Sequence, residues 1–361
     1  MSRKRVSPSF AICLIGVCLL AAIFATSHIR AQMPPAVLLV LEKGDNTLAI
    51  IDPATLKIVA RVPAGKDPHE VAASSDGKLA YISNYGGLDS DLHTISVVDL
   101  AERKPLPAID LGVLRSAHGL DFVGGKLYFT VETNKAIARY DPATKRVDWV
   151  LGTGQDRTHM IWVAPSLDWI FTSNVNSGTI SIIQYALPNL GYPPPAGTRK
   201  TWEVNNVRSG HGSEGFDVSP DGKEIWAANA EDNTVTIIDV AAQKARKTLP
   251  IVVKGANRLK FTLDGKRVLV SGLGAPSLAG EKSAGPNLVV IDAATRKEAK
   301  QISLGGGSAG ILMQPGGSRA YVAVSAANKV AVIDLSSLEV KGEIPTGRGP
   351  DGMAWAARGN E

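Results

Sequence analysis

The sequence predicts an all-β protein: a seven-bladed β-propeller of four-stranded antiparallel blades, closed by pairing of its N- and C-terminal segments. Two interleaved phrases repeated along the chain, and a last unit divided between the two ends, predict it. The first phrase is an apolar pair, then Asp, then a turn. It occurs at Ile51-Asp52-Pro53-Ala54-Thr55, Val98-Asp99-Leu100, Tyr140-Asp141-Pro142-Ala143-Thr144, Ile238-Asp239-Val240, Ile291-Asp292-Ala293-Ala294-Thr295 and Ile333-Asp334-Leu335, with a degenerate copy at Ile183-Gln184. Successive copies lie 47, 42, 43, 55, 53 and 42 residues apart, the length of one four-stranded blade. The second phrase is a short apolar strand, an Asp-Gly turn and a β-rich strand, clearest at Val71 to Asn84, Phe216 to Asn229 and Leu259 to Gly272. Asp-Gly between two alternating apolar runs is a strong hairpin signal.

The split unit argues for a closed ring. Pro350 to Trp355 starts a blade that the C-terminus cuts short, and Val37 to Arg61 supplies the missing later strands. Closure leaves no open sheet edge; the competing arrangement is an open solenoid of the same repeats. The 36 Gly and 21 Pro fit a chain with many turns. With 44% apolar and 20% charged residues, the 361-residue chain can bury a core and is not disordered by composition.

Residues 1–31 read as a leader. Arg3, Lys4 and Arg5 precede an apolar run from Phe10 to Ala25, and a polar stretch ends near Ala31, the layout of a secretory signal. The alternative is an uncleaved anchor, but the run is shorter than the ~20 residues that span a bilayer. Export to the periplasm or beyond is therefore expected, with residues 32–361 as one propeller domain and no stable membrane insertion after cleavage. Removing the leader's four basic residues from 39 Lys and Arg, against 34 Asp and Glu, leaves a net charge of +1, which gives no case for nucleic-acid binding. Both cysteines, Cys13 and Cys18, lie in the leader, so the mature chain has no disulfide and no thiolate nucleophile. A phosphate-binding Gly-rich loop, a Gly-x-Ser-x-Gly elbow, a His-Glu-x-x-His helix and a Cys-x-x-Cys-His haem motif are all absent.

Tyr81-Ile82-Ser83-Asn84, Phe171-Thr172-Ser173-Asn174 and Trp226-Ala227-Ala228-Asn229 look like one tetrad, and downstream apolar-Asp phrases complete the pattern. Over nearly all of the mature chain these strings resemble the YVTN-family β-propeller repeat. The resemblance implies an exported seven-bladed ring related in form to bacterial surface-layer and lactonase-like propellers, and it implies no single activity. The tetrad is degraded at Leu269 to Gly272 and Tyr321 to Val324.

Up-and-down connectivity assigns faces. The Asp-Gly and Asp-Pro-Ala-Thr turns share one face, the bottom; the loop after each tetrad and the loop entering the next blade share the top. The residue expected just ahead of each innermost strand then reads His69, His118, His159, Glu214, Asn257, Ala309 and Asp351. Three histidines and a glutamate in consecutive blades are the donor set of a divalent transition metal, and ring geometry lets them converge. The plainer account is a polar lining of a wet channel, and a one-residue slip in alignment would spoil the convergence. Glu70 and His211 are candidate proton carriers, and Arg258 a candidate anion-binding group. Arg348 and Asp351 belong to the same top face, as does His93. The long 85–93 and 272–287 loops also fall on top, and the Pro-rich 186–199 insertion falls on the bottom.

Two function classes follow. One is a metal-dependent hydrolase or lyase, lactonase-like, acting on a small molecule at the channel mouth. The other is a non-enzymatic binding or scaffold propeller that takes a protein or small molecule on its top face. A third idea, an accessory propeller in a redox system, would need a bound metal to carry electrons.

Overall fold

The computed structural model describes residues 36–86, 92–274 and 285–357. Each of seven sheets has four antiparallel strands in meander order. Blade 1 runs inside to outside through Pro68–Ala73, Leu79–Asn84, Thr94–Asp99 and Lys104–Asp110. The innermost strands of blades 2 to 6 are Ala117–Val123, Thr158–Val163, Ser213–Val218, Ala256–Phe261 and Ile311–Met313. Blade 7 is the split one: Pro350–Ala357 pairs with Ala36–Glu42, in register from Ala36 opposite Ala357 to Val40 opposite Met353, and Thr47–Asp52 and Lys57–Pro63 follow outward. The ring is closed, and the degraded tetrads lie in ordinary second strands, Arg267–Gly272 and Arg319–Val324. Among the described residues no helix is long and apolar enough to cross a membrane.

The bottom turns form from their own side chains. In blade 1 the Ser74 hydroxyl donates to Asp76 Oδ1 at 2.6 Å, and the Lys78 N–H donates to the same oxygen at 3.0 Å. Ser219 with Asp221 and Thr262 with Asp264 repeat the arrangement. This Asx-type bonding replaces backbone partners that a tight turn cannot offer. The tetrad asparagines act similarly inside the blades: Asn84, Asn174 and Asn229 each donate through Nδ2 to two hydroxyls of the next strand at 2.9 to 3.1 Å.

The apolar core lies between blades. Successive residues of a strand point to opposite faces, so Val37, Leu39 and Leu41 pack with Val71, Ala80 and Ile82 of blade 1, while Leu38 and Val40 pack with Tyr321 and Val330 of blade 6. Trp149 of blade 2 stands 5.4 Å from Trp202 of blade 3, and Trp226 is fully buried between blades 4 and 5, as expected for packing tryptophans.

The innermost strands depart from expectation in one way. Six of the seven channel residues do not precede them but are the second residue of their strand, and only Ala309 lies ahead of its strand, Ile311–Met313. Register shifts between Pro68 and Val71, Ala117 and Leu120, Thr158 and Ile161, Ser213 and Phe216, and Ala256 and Leu259. A bulge bends the strand and re-aims a side chain, here at the top of the channel. It also crowds neighbouring inner strands: a Cβ on Gly119 would lie 2.5 Å from the His159 carbonyl oxygen, and one on Gly215 would lie 2.6 Å from that of Asn257. Gly119→Ala should therefore cost about 1–3 kcal/mol, whereas Gly152→Ala, whose Cβ would meet nothing within 4 Å, should change stability by less than ~0.5 kcal/mol; denaturant unfolding of the two variants beside the wild type measures both.

Candidate functional site

Two ring positions build the top of the channel. One is the bulge position, which contributes His69, His118, His159, Glu214, Asn257 and Asp351. The other is the residue just past each second strand: Lys43, Tyr85 and Glu132 come from blades 7, 1 and 2. Bulge and strand-end side chains meet because both sit where the inner hairpin opens at the top face.

His118, Glu132 and His159 form a buried group whose ligand atoms all lie within 4.8 Å of one another. Glu132 Oε1 accepts from His159 Nδ1 at 2.5 Å, and His159 Nε2 lies 2.9 Å from Glu214 Oε2, near enough for an ion pair but out of line for a hydrogen bond. The His118 and His159 rings are 3.7 Å apart between centroids, and His69 is next in the row at 4.9 Å from His118. His118 is 2% exposed and its buried Nδ1 has no partner. Buried polar atoms are rarely left so.

A hydroxyl of the second strand sets the spacing of the two histidines. Thr130 accepts from the Gly119 N–H at 2.9 Å and donates to the His159 carbonyl at 2.7 Å, tying the residue after His118 to His159 itself. Ser173 does the same one blade on, accepting from the Met160 N–H and donating to the Glu214 carbonyl.

Charged groups surround this row. Tyr85 donates its hydroxyl to Glu132 Oε2 at 2.6 Å. Arg157 stands 3.5 Å from Glu132 and 3.4 Å from Glu214. Arg258 binds Glu70 Oε1 at 2.9 Å and lies 3.6 Å from Glu214. Lys43 reaches Asp351 at 3.2 Å and His69 Nε2 at 3.4 Å, while His69 Nδ1 faces the Asp67 carbonyl at 3.2 Å. In this network the carboxylates of Asp67, Glu70, Glu132, Glu214 and Asp351 outnumber the fixed cations Lys43, Arg157 and Arg258 by two. The nitrogen and oxygen donors without sulfur suit a transition metal; these residues fit such an ion.

The field of these groups sorts the titrations. Burial and the neighbouring His159 and His69 hold His118 well below the ordinary histidine range, so it is neutral. Burial also opposes a charge on His159, but Glu214 and Glu132 outweigh it and hold His159 above that range. Glu214 is driven well below the usual carboxylate range, because His159, Arg258 and Arg157 overcome its burial. Glu70 is raised, chiefly by burial, against the pull of Arg258.

Of the residues singled out in the sequence, the structure brings His69, His118, His159, Glu214, Glu70 and Arg258 into one network. Both ring nitrogens of His69 are engaged by Lys43 and Asp67, which leaves it at the end of the row rather than in the buried group. Arg258 is only 11% exposed and committed to Glu70 and Asn257. His211 does not join: it is 65% exposed and bonded to Asp232. His93 likewise faces Asp110, and Arg348 binds Asp45. Of the two long top loops, residues 87–91 and 275–284 fall outside the described residues. Glu132, Arg157, Tyr85 and Lys43 were not anticipated. Aligning the residue after each tetrad would have put Lys43, Tyr85 and Glu132 side by side; Arg157 carries no such signal.

No family model and no curated protein matches the chain. Many solved structures do. A functionally unknown protein from Desulfotomaculum acetoxidans aligns with TM-score 0.68 and 13% identity over 90% of this chain and 99% of that one. A putative 6-phosphogluconolactonase from Bacteroides fragilis aligns with TM-score 0.66 and 15% identity over 89% and 98%. Hydrazine synthase from Kuenenia stuttgartiensis aligns with TM-score 0.61 and 20% identity over 79% and 88%. At these identities the similarity shows the fold, a seven-bladed propeller with lactonase-like structural neighbours.

The His159 shift has a definite sign. A histidine whose folded pKa is raised contributes stability that is complete below its unfolded value of about 6.5 and is lost as pH rises through the folded pKa. In metal-free protein, the stability lost in His159→Gln should be largest at or below pH ~6.5 and should shrink toward alkaline pH, as read by urea unfolding from pH 5 to 9.

Proposed function

We propose that this chain holds a divalent transition metal at His118, Glu132 and His159 and acts on a small molecule entering from the top face, as a hydrolase or lyase. The observation that carries the reading is the buried His118–Glu132–His159 group with an unpartnered nitrogen on His118. A bound ion would supply Lewis acidity toward a substrate oxygen and a lowered pKa for water. Glu214, 2.9 Å from His159 Nε2, would orient that imidazole through their ion pair. Tyr85 fixes Glu132 through its hydroxyl bond, and the Arg258–Glu70 pair joins blade 5 to blade 1. The B. fragilis neighbour, a putative 6-phosphogluconolactonase, makes lactones the first substrates to screen. The YVTN-type repeat and export with loss of residues 1–31 belong to the same proposal, supported by the tetrads and the leader.

Elemental analysis of the purified mature protein tests the site. Near-stoichiometric metal is expected in the wild type and in His69→Ala, with at least a tenfold loss of affinity in His118→Ala and Glu132→Gln. No metal after incubation with Zn, Mn, Ni, Fe and Cu would reduce the row to channel lining and leave the binding-scaffold reading. Mass measurement of protein from the extracytoplasmic fraction should place the new N-terminus after Ser27 or Ala31; an intact leader there would make it an anchor.

A further inference from the structure

Arg157 is the cation of this network with the longest carboxylate contacts, and its other neighbour is the Tyr85 hydroxyl. Its closest carboxylate contacts, 3.4 Å to Glu214 and 3.5 Å to Glu132, exceed the range of an N–H···O bond. Its side chain is 35% exposed, against 11% for Arg258, whose guanidinium binds Glu70 directly. The chain also holds Arg157 where an ordinary residue is strained. It occupies the left-handed region, φ 55°, two residues ahead of His159, at a cost of about 1 kcal/mol. The conformation belongs to the repeat: Asp67 and Ser116 hold it in blades 1 and 2 with φ 50° and 54°, and blades 4, 5 and 7 place Gly212, Gly255 and Gly349 at this step, all with positive φ. The guanidinium lies between the Glu132 and Glu214 carboxylates, both of which also contact His159. If the ion proposed above is bound, Glu132 becomes a ligand and its hold on Arg157 weakens further.

We propose that Arg157 is an oxyanion subsite: it takes a carboxylate or phosphate group of the substrate and sets the reacting centre over His118 and His159. The placement rests on the small-molecule reading above, but the binding of an anion does not require the metal. A planar five-donor fork with a third of its side-chain surface exposed suits a bidentate oxyanion. Arg157 thereby takes the anion-binding part that the sequence suggested for Arg258.

The test is calorimetric binding of inorganic phosphate and of acetate to the full mature protein, with and without added Zn, using wild type, Arg157→Gln, Arg157→Lys and Lys341→Gln. Lys341 lies on an outermost strand and pairs with Glu339, so its variant reports the effect of losing one charge alone. At least one anion should bind the wild type and the Lys341 variant alike, at least tenfold more weakly Arg157→Gln, and Arg157→Lys in between. Zn content should be equal in all four. Equal anion affinity in wild type and Arg157→Gln, or no anion binding to wild type, overturns the subsite. Failure of every protein to hold Zn sinks the metal reading alone, since the anion titrations of the metal-free protein still decide Arg157.

Discussion

Strand Ala36–Glu42 is apolar on both faces. Its odd-numbered residues pack on blade 1 and its even-numbered ones on blade 6. A blade built this way cannot stand in water on either side, so each must be sandwiched between two others, and the sequence of sandwiches ends only when the chain closes on itself. The pairing of Ala36–Glu42 with Pro350–Ala357 is that closure. It fixes the radius of the channel and with it the distance at which inner-strand side chains from different blades can meet.

The ring also explains the bulges. A regular innermost strand would alternate its side chains between the two neighbouring blades. In every blade but the sixth, an extra residue at the top turns a side chain toward the axis instead. The adjoining position then lies against the next inner strand, which is why Gly119, Gly215, Gly310 and Gly352 have almost no room there. Glu70, Met160 and Arg258 are the exceptions, and two of these form the ion pair that spans the channel.

Gathering carboxylates, guanidinium groups and imidazoles in a buried place opposes folding, because each ion loses its hydration. The interblade core offsets that cost and is large enough to do so in a ring of this size. The polar cluster is thus a feature the scaffold tolerates rather than one it needs.

The repeat, the split blade and the seven sheets were legible in the sequence because they rest on local rules: period-two alternation, Asp-Gly turns, and a phrase recurring at blade length. The candidate row His69, His118, His159 and Glu214 was legible for the same reason, since residues at one repeat position occupy one ring position. What only the tertiary structure decided is which of them share a small volume. His69 is drawn to Lys43 and Asp67, while Glu132, two residues past Thr130 on another strand, enters the buried group. His211 sits three residues from Glu214 in the chain yet points to solvent. Sequence spacing carries strand phase; bulge geometry, left-handed backbone at Arg157 and the closing radius of the ring set where side chains end in space, and those come from packing between blades far apart in the chain.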